Sequence, residues 1–421
     1  MVATMNQHIA DLKQFVIDSP TSYHAAATIA RRLSAAGFSE LDEKRDWESV
    51  TGRNYIVRHG AVVAWIAPDE LAGDAEVRIV GTHNDSPAFK LKPGNPLRSS
   101  GWTQLGVEIY GGPLLNSWLD RDLGLAGRLV TKDGAQHLVK TGPICRIPQL
   151  AIHLDREANN GLKLDRQLHL QPIMGAKRAG GLLDLLCEQA GISRDDVAFH
   201  ELYTFDTQPP QVIGLDGEFL ASGRLDNLSC THAALVAFEA AQPTRNIQLF
   251  VSFDHEEVGS DTTSGASGPL LEDVLYRLAD GYGLGMGATR ALLARSTCVS
   301  ADTGHLVHPN YPNHHDPMVR PAVNAGPLLK LNAQQRYASD AVGTALWLRA
   351  CEFAGVETQP FVSNNAVPCG STIGPITATR LGITTVDVGV GLLSMHSARE
   401  MCGVEDPGKL AAALAGYWAM P

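Results

Sequence analysis

The sequence predicts an α/β fold with a central, mostly parallel sheet and a β-rich insertion. Three observations predict it. Apolar strand-like runs alternate with helical segments toward both ends of the chain. The segment from about Gly111 to Gly214 has a different texture, with hairpin signals and little alternation. The chain has 421 residues and 44% hydrophobic content, enough for a large core.

The elements follow in order. "SPTSYHAAATIARRLSAAGF" opens on cap residues and closes at Gly37, which reads as a helix. "VVAWIA" and "VRIVGTHNDS" are strands, and the second meets a polar turn at His83. In "RLVTKDGAQHLVKT", Asp133-Gly134 is a hairpin turn between two strands. "PQLAIHLD" and "LHLQPIM" read as further strands, and "GGLLDLLCEQAG" as a helix. A helix follows Asp226. "NIQLFVSF", "STCVSAD" and "ITTVDVGV" are strands. "DAVGTALWLRACEFAG" and "DPGKLAAALAGYWA" are helices, the last with Asp406 as its expected cap and Pro407 in its first turn.

Composition narrows the function classes. The formal net charge is -11, which disfavours binding to nucleic-acid phosphates. No run approaches the roughly 20 apolar residues of a membrane span, and the N-terminus lacks the pattern of a signal peptide. Seven scattered cysteines without a CxxC pair read as reduced thiols of a cytoplasmic protein.

The polar clusters fall at strand ends, where ligands collect in open α/β sheets. His83 and Asp85 follow one strand, Glu256 and Glu257 a second, and Asp302 a third. Asp226 sits in "GRLDN" and His396 in "LLSMHSARE". Taken singly, each has a plain reading: a glutamate pair in water, a helix cap at Asp226, polar residues at strand ends. Together they form an imidazole and carboxylate set suited to zinc, manganese or cobalt. Two ions sharing a bridging carboxylate need about five ligands, and His83, Asp226, Glu257, Asp302 and His396 suffice. Neighbouring residues point in different directions, so the two glutamates can divide the labour. One binds metal and the other takes a proton from water. There is no HExxH, GxSxG or glycine-rich phosphate loop.

The chain resembles the aspartyl aminopeptidases, dinuclear metallopeptidases, over nearly its whole length. The matching segments include "GTHNDSPAFKLKP", "LAIHLDRE", "GRLDNL", "FDHEEVGS", "SADTGH", "GPLLKLNAQQRYASD", "PCGSTIGPI" and "LLSMHSARE". The resemblance implies a zinc-exopeptidase-like catalytic domain, residues 1–90 and 214–421, interrupted by a dimerisation domain, residues 91–213. It implies two divalent ions, most simply Zn2+. Asp226 would bridge them, with His83 and Asp302 completing one site and Glu257 and His396 the other. Asp85 would orient His83, and Glu256 would be the general base. Substrates would be peptides with an N-terminal Asp or, less well, Glu. Lys330 would meet that acidic side chain, with Tyr337 and His305 beside it. The alternative reading of Lys330 is a lysine among leucines at a strand edge facing water. The family forms tetrahedral dodecamers in which a histidine matching His153 reaches a neighbour's site; on its own, His153 reads as a core residue of a strand. Ala366 stands where many relatives carry Asp, which bears on the choice between Asp and Glu. The alternatives are a broader aminopeptidase or deacylase with the same centre, or a self-assembling relative without catalysis.

Overall fold

The computed structural model describes residues 5–94, 96–176 and 181–421. Residues 1–4, at the start of the stretch read for a signal peptide, and Gly180, which opens the expected helical segment of the insertion, lie outside these ranges.

Nine strands form the central sheet. They are β1 (Ser39–Glu40), β2 (Gly52–Arg58), β3 (Ala61–Ala67), β4 (Val77–His83), β5 (Ile247–Phe253), β6 (Thr297–Ala301), β7 (Leu328–Leu331), β8 (Gln359–Val362) and β9 (Thr384–Gly389). Their spatial order is β1-β2-β3-β5-β4-β6-β9-β7-β8. The centre of the sheet, β5-β4-β6-β9, is parallel. β3 pairs antiparallel with β5, and β7 antiparallel with β9, so the whole sheet is mixed.

Side chains alternate across the sheet as the pleat requires. On β3, Val62, Ala64 and Ile66 join one core with Val80 and Phe250. Ala61, Val63 and Trp65 join the other with Ile79 and Leu249. A sheet buried on both faces needs helices on both. Met5–Asp18, Ser22–Ala35, Leu225–Glu239, Ala341–Ala354 and Asp406–Ala419 cover the first core. Leu270–Gly281, Met286–Arg295 and Ile373–Leu381 cover the second. The expected helix after Thr21 is present, and the Thr21 side chain accepts from the His24 N–H as its N-cap. The last helix departs from expectation at its cap. Glu405 occupies the N-cap position, and the Asp406 carboxylate instead accepts from the N–H groups of Asn324 and Gly326, at 2.9 and 3.0 Å. It ties down a distant loop rather than its own helix.

Two further sheets are built from residues 88–206. A five-stranded sheet joins Gln136–Lys140, Leu123–Thr131, Val197–Asp206, Ala88–Leu91 and Val107–Tyr110 in that order. A three-stranded sheet joins Ile173–Ala176, Trp102–Gln104 and Leu97–Ser99. The hairpin at Asp133-Gly134 is present, with Gly134 at φ 89°. Gln211–Ile213 pairs with Phe219–Ser222 in a third sheet that continues through Glu400–Gly403, Gly391–Leu393 and Gly304–His305. By pairing, 211–213 thus goes with the C-terminal part of the chain.

Two strand expectations fail within residues 88–206. Ile152–Leu154 of "PQLAIHLD" is a turn, with Leu150, Ile152 and Leu154 exposed. Of "LHLQPIM", only Ile173 and Met174 are in a strand. Alternating apolar residues need a covering surface, and Leu150–Leu154 pairs with no strand among the described residues. Among the described residues, no helix is long and apolar enough to cross a membrane.

Candidate metal centre

The site assembles where the parallel strands end. Phe253 of β5 lies opposite His83 of β4, so the Asp254–Glu257 turn emerges beside His83. Ser300 of β6 lies opposite Gly81, which brings Asp302 level with His83. Asp226 enters from the strand Phe219–Ser222 through a backbone that is not yet helical, at φ -81° and ψ 107°. Its carboxylate turns to two imidazoles, so the plain helix-cap reading of Asp226 falls. His396 sits in a left-handed turn at φ 66°.

His83 Nε2 lies 3.4 Å from Asp226 Oδ1, 3.2 Å from Asp302 Oδ1 and 3.9 Å from Glu256 Oε2. His396 Nε2 lies 3.4 Å from Asp226 Oδ2 and 3.3 Å from Glu257 Oε2. Donor atoms of His83, Asp226 and Asp302 all fall within 4.8 Å of one another, and so do those of Asp226, Glu257 and His396. Asp226 belongs to both groups. A third group of His83 with Glu256 and Glu257 meets the same limit.

Asp85 holds the His83 side of the centre. Its Oδ1 lies 3.3 Å from His83 Nδ1. The same carboxylate accepts from the backbone N–H groups of Glu256 and Glu257, at 3.0 and 3.1 Å, and from the Tyr110 hydroxyl at 2.7 Å. It fixes one imidazole and both glutamates at once.

Packing so many acids together shifts their proton equilibria. Burial pushes the Glu256 carboxyl up to about 8, against the pull of His83. Burial, then the Asp226 charge, raises Glu257 well above the carboxylate range. Asp226 goes the other way. Burial opposes its charge, but hydrogen bonds from His396 and His83 hold its carboxyl far below the usual value. His396 is raised to about 9; burial disfavours its charge, and Asp226 outweighs that.

These residues fit divalent cations. The donors are the imidazole and carboxylate groups that such ions take. Glu257 Oε1 is buried and has no hydrogen-bond partner among the described residues. Buried lone pairs left in this way are costly unless a cation meets them.

The centre opens into a cavity of 570 Å³ also lined by Lys330, Tyr337, His305, Ser371 and Thr372. Lys330 is 1% exposed and lies on β7, paired on both sides, so the strand-edge reading in water does not hold. Its ammonium donates to Asp302 Oδ2 at 3.2 Å and to the carbonyls of Asp302 and Thr303 at 2.9 and 2.7 Å. It also stands 5.1 Å from the centre of the Tyr337 ring, so Tyr337 meets Lys330 through its ring face. His305 lines the same wall. His153 does not line this cavity; it sits in the exposed Ile152–Leu154 turn, so the core-strand reading fails. Ala366 is exposed and also lies away from the lining.

Three contributors carry no local motif. Tyr110 reaches Asp85 from the end of the strand Val107–Tyr110. The Gly112 carbonyl lies 2.9 Å from His396 Nδ1. Glu400 accepts from the backbone N–H groups of Asp226 and His396. The only sequence signal for Glu400 is its place four residues after His396.

Comparison with known proteins identifies the family and the fold. A family model described as aminopeptidase I zinc metalloprotease (M18) matches residues 15–418. The probable M18 family aminopeptidase 2 of Streptomyces coelicolor is 48% identical over 419 residues, covering 97% of each chain. Among solved structures, the cryo-EM structure of the Ape4 and Nbr1 complex superposes with a TM-score of 0.94 at 34% identity. That match covers 99% of this chain and 86% of the other. The Saccharomyces cerevisiae mApe1 dodecamer gives a TM-score of 0.87 at 29% identity, covering 99% of this chain and 97% of the other.

Proposed function

The chain belongs to the aminopeptidase I zinc metalloprotease (M18) family, and we propose that this zinc metallo-aminopeptidase removes acidic N-terminal residues with two divalent ions bridged by Asp226. The observation that carries the two-ion reading is the double membership of Asp226, facing His83 and Asp302 on one side and Glu257 and His396 on the other. Zn2+ fits the family, and Mn2+ or Co2+ fits the same donors. Ions there would polarise the scissile carbonyl and acidify the attacking water.

The chain's own groups do the proton work. Glu256 Oε2 takes the proton of the attacking water and later delivers it to the leaving amine nitrogen. Asp85 keeps the Glu256 backbone fixed during both transfers. Glu257, beside His396, serves as ligand.

The acidic preference rests on Lys330, among the described residues the one lysine or arginine side chain along a cavity otherwise rich in carboxylates. A second reading, a broader aminopeptidase, is favoured by the same residue. All three Lys330 donors are engaged within the protein, so an acidic side chain would have to displace one acceptor. A panel of aminoacyl p-nitroanilides decides. On the proposal, the Asp substrate is cleaved at least ~10-fold faster in kcat/KM than the Leu or Ala substrate, about 1.4 kcal/mol. Equal rates remove the acidic preference and leave the broader aminopeptidase.

We also infer a homo-oligomer, most simply a tetrahedral dodecamer, joined through the inserted region. Leu150, Ile152 and Leu154, which flank His153 in sequence, are 61%, 45% and 74% exposed. Burial of these residues on a neighbour would bring His153 to the neighbour's cavity. Light scattering on the purified protein should give a mass near twelve chains of 45.0 kDa. A monomer at micromolar concentration would end this assignment.

A further inference from the structure

We propose that Glu400 is a positioning residue that holds the metal ligands Asp226 and His396 at a common spacing through their backbone N–H groups. Glu400 opens the strand Glu400–Gly403 and lies opposite Ser222 on the neighbouring strand. Ser222 feeds, through Gly223, Arg224 and Leu225, into Asp226. His396 lies four residues before Glu400 on its own segment. One side chain therefore stands between two chain segments, each carrying a ligand.

Both carboxylate oxygens are used. Oε2 accepts from the Asp226 N–H at 3.0 Å, and Oε1 accepts from the His396 N–H at 2.8 Å. Glu400 is 2% exposed, so water does not substitute for either bond. The segments also approach closely: a Cβ on Gly223 would lie 2.8 Å from the Ala398 carbonyl oxygen. Arg224 and His396 are held at φ 59° and 66°, a left-handed backbone that non-glycine residues adopt at a cost. Without the carboxylate, both turns lose the acceptor that meets their N–H groups, and the two ligands lose their shared tie.

The pattern mirrors Asp85, which accepts from the Glu256 and Glu257 N–H groups. Each of these two acids takes the backbone N–H groups of two site residues. Between them they tie the backbones of four residues of the centre to two buried carboxylates. Outer groups of this kind commonly set metal affinity within about 10- to 100-fold.

This inference rests on the reading of Asp226 and His396 as metal ligands, which Zn2+ binding by the unaltered protein tests separately. The experiment compares that protein with Glu400→Gln and Glu400→Asp. Full-length protein is stripped with a chelator, and its Zn2+ affinity is measured by competition with a zinc-sensitive dye. The melting temperature of the stripped form is recorded alongside. Glutamine offers one acceptor where two N–H groups point, so Glu400→Gln should bind Zn2+ about 10- to 100-fold more weakly. Its stripped form should melt close to the unaltered one, and Glu400→Asp, which keeps two acceptors on a shorter stem, should fall between. Unchanged Zn2+ affinity in a folded Glu400→Gln protein overturns the proposal. If Glu400→Gln does not fold, Glu400→Asp is read by the same criterion. If neither folds, Glu400 is a fold-stabilising residue and the positioning role is rejected.

Discussion

Glu256→Gln should lose turnover by about 10²- to 10⁴-fold while KM changes little and bound metal stays at the level of the unaltered protein. Glutamine matches the shape of glutamate but cannot take a proton. Glu256 Oε2 faces His83 at 3.9 Å, longer than the 3.2 and 3.4 Å of Asp302 and Asp226, so it is the outlying carboxylate of that group. Its backbone is fixed by Asp85, and that bond survives the substitution because it uses the Glu256 N–H. The folded protein should not lose stability either. Burial raises the Glu256 carboxyl to about 8, so ionising it costs folding energy as pH rises from the unfolded value, near 4.5, toward 8. Glutamine removes that cost. Glu257→Gln supplies the contrast, because Glu257 sits 3.3 Å from His396 Nε2 and should cost bound metal together with turnover. Full activity in Glu256→Gln, or metal loss equal to that of Glu257→Gln, would reverse the roles assigned to the two glutamates.

The sequence made the polar strand ends of the candidate centre legible and left the framework behind them hidden. His83, Glu256 and Asp302 stand just past strongly apolar strands, and parallel pairing brings such ends together almost automatically. Asp226 and His396 were legible as polar residues in short motifs. Glu400, Tyr110 and Gly112 were not, because their roles lie in contacts across long sequence separations. Tyr110 is a plain strand-end tyrosine until the strand Val107–Tyr110 is folded against Asp85. The "LAIHLD" stretch failed for a different reason. Alternating apolar residues report that a covering surface is needed, and periodicity cannot say whether that surface is a strand of the same chain. Lys330 illustrates a third limit. A lysine among leucines reads as water-facing, whereas Asp302 and two carbonyls meet its charge inside the sheet. Sequence offers no sign of which carboxylate a buried lysine will find.

Removal of metal by a chelator should abolish turnover and lower the melting temperature, and Zn2+ should restore both. Asp85, Asp226, Glu256, Glu257, Asp302 and Glu400 crowd the centre, and the neighbouring cationic groups are His83, His396 and Lys330. Gathering that much buried negative charge is costly, and bound cations offset it only in the folded chain. At a metal concentration 1,000 times the dissociation constant, the linkage is worth about 4 kcal/mol of stability. The same argument fixes the direction with pH. Ligands must be deprotonated to bind, yet His396 alone would titrate near 9 and Glu257 well above the carboxylate range. Protons therefore compete with metal throughout the neutral range. The apparent affinity should weaken as pH falls from 8 to 6, by on the order of ten-fold per pH unit for each proton displaced. The stability lent by metal should shrink with it, so stripped and loaded proteins should melt closer together at pH 6 than at pH 8. Turnover that survives complete stripping would remove metal from the mechanism. A melting gap that widens toward acid pH would mean that the ions sit on groups other than these imidazoles and carboxylates.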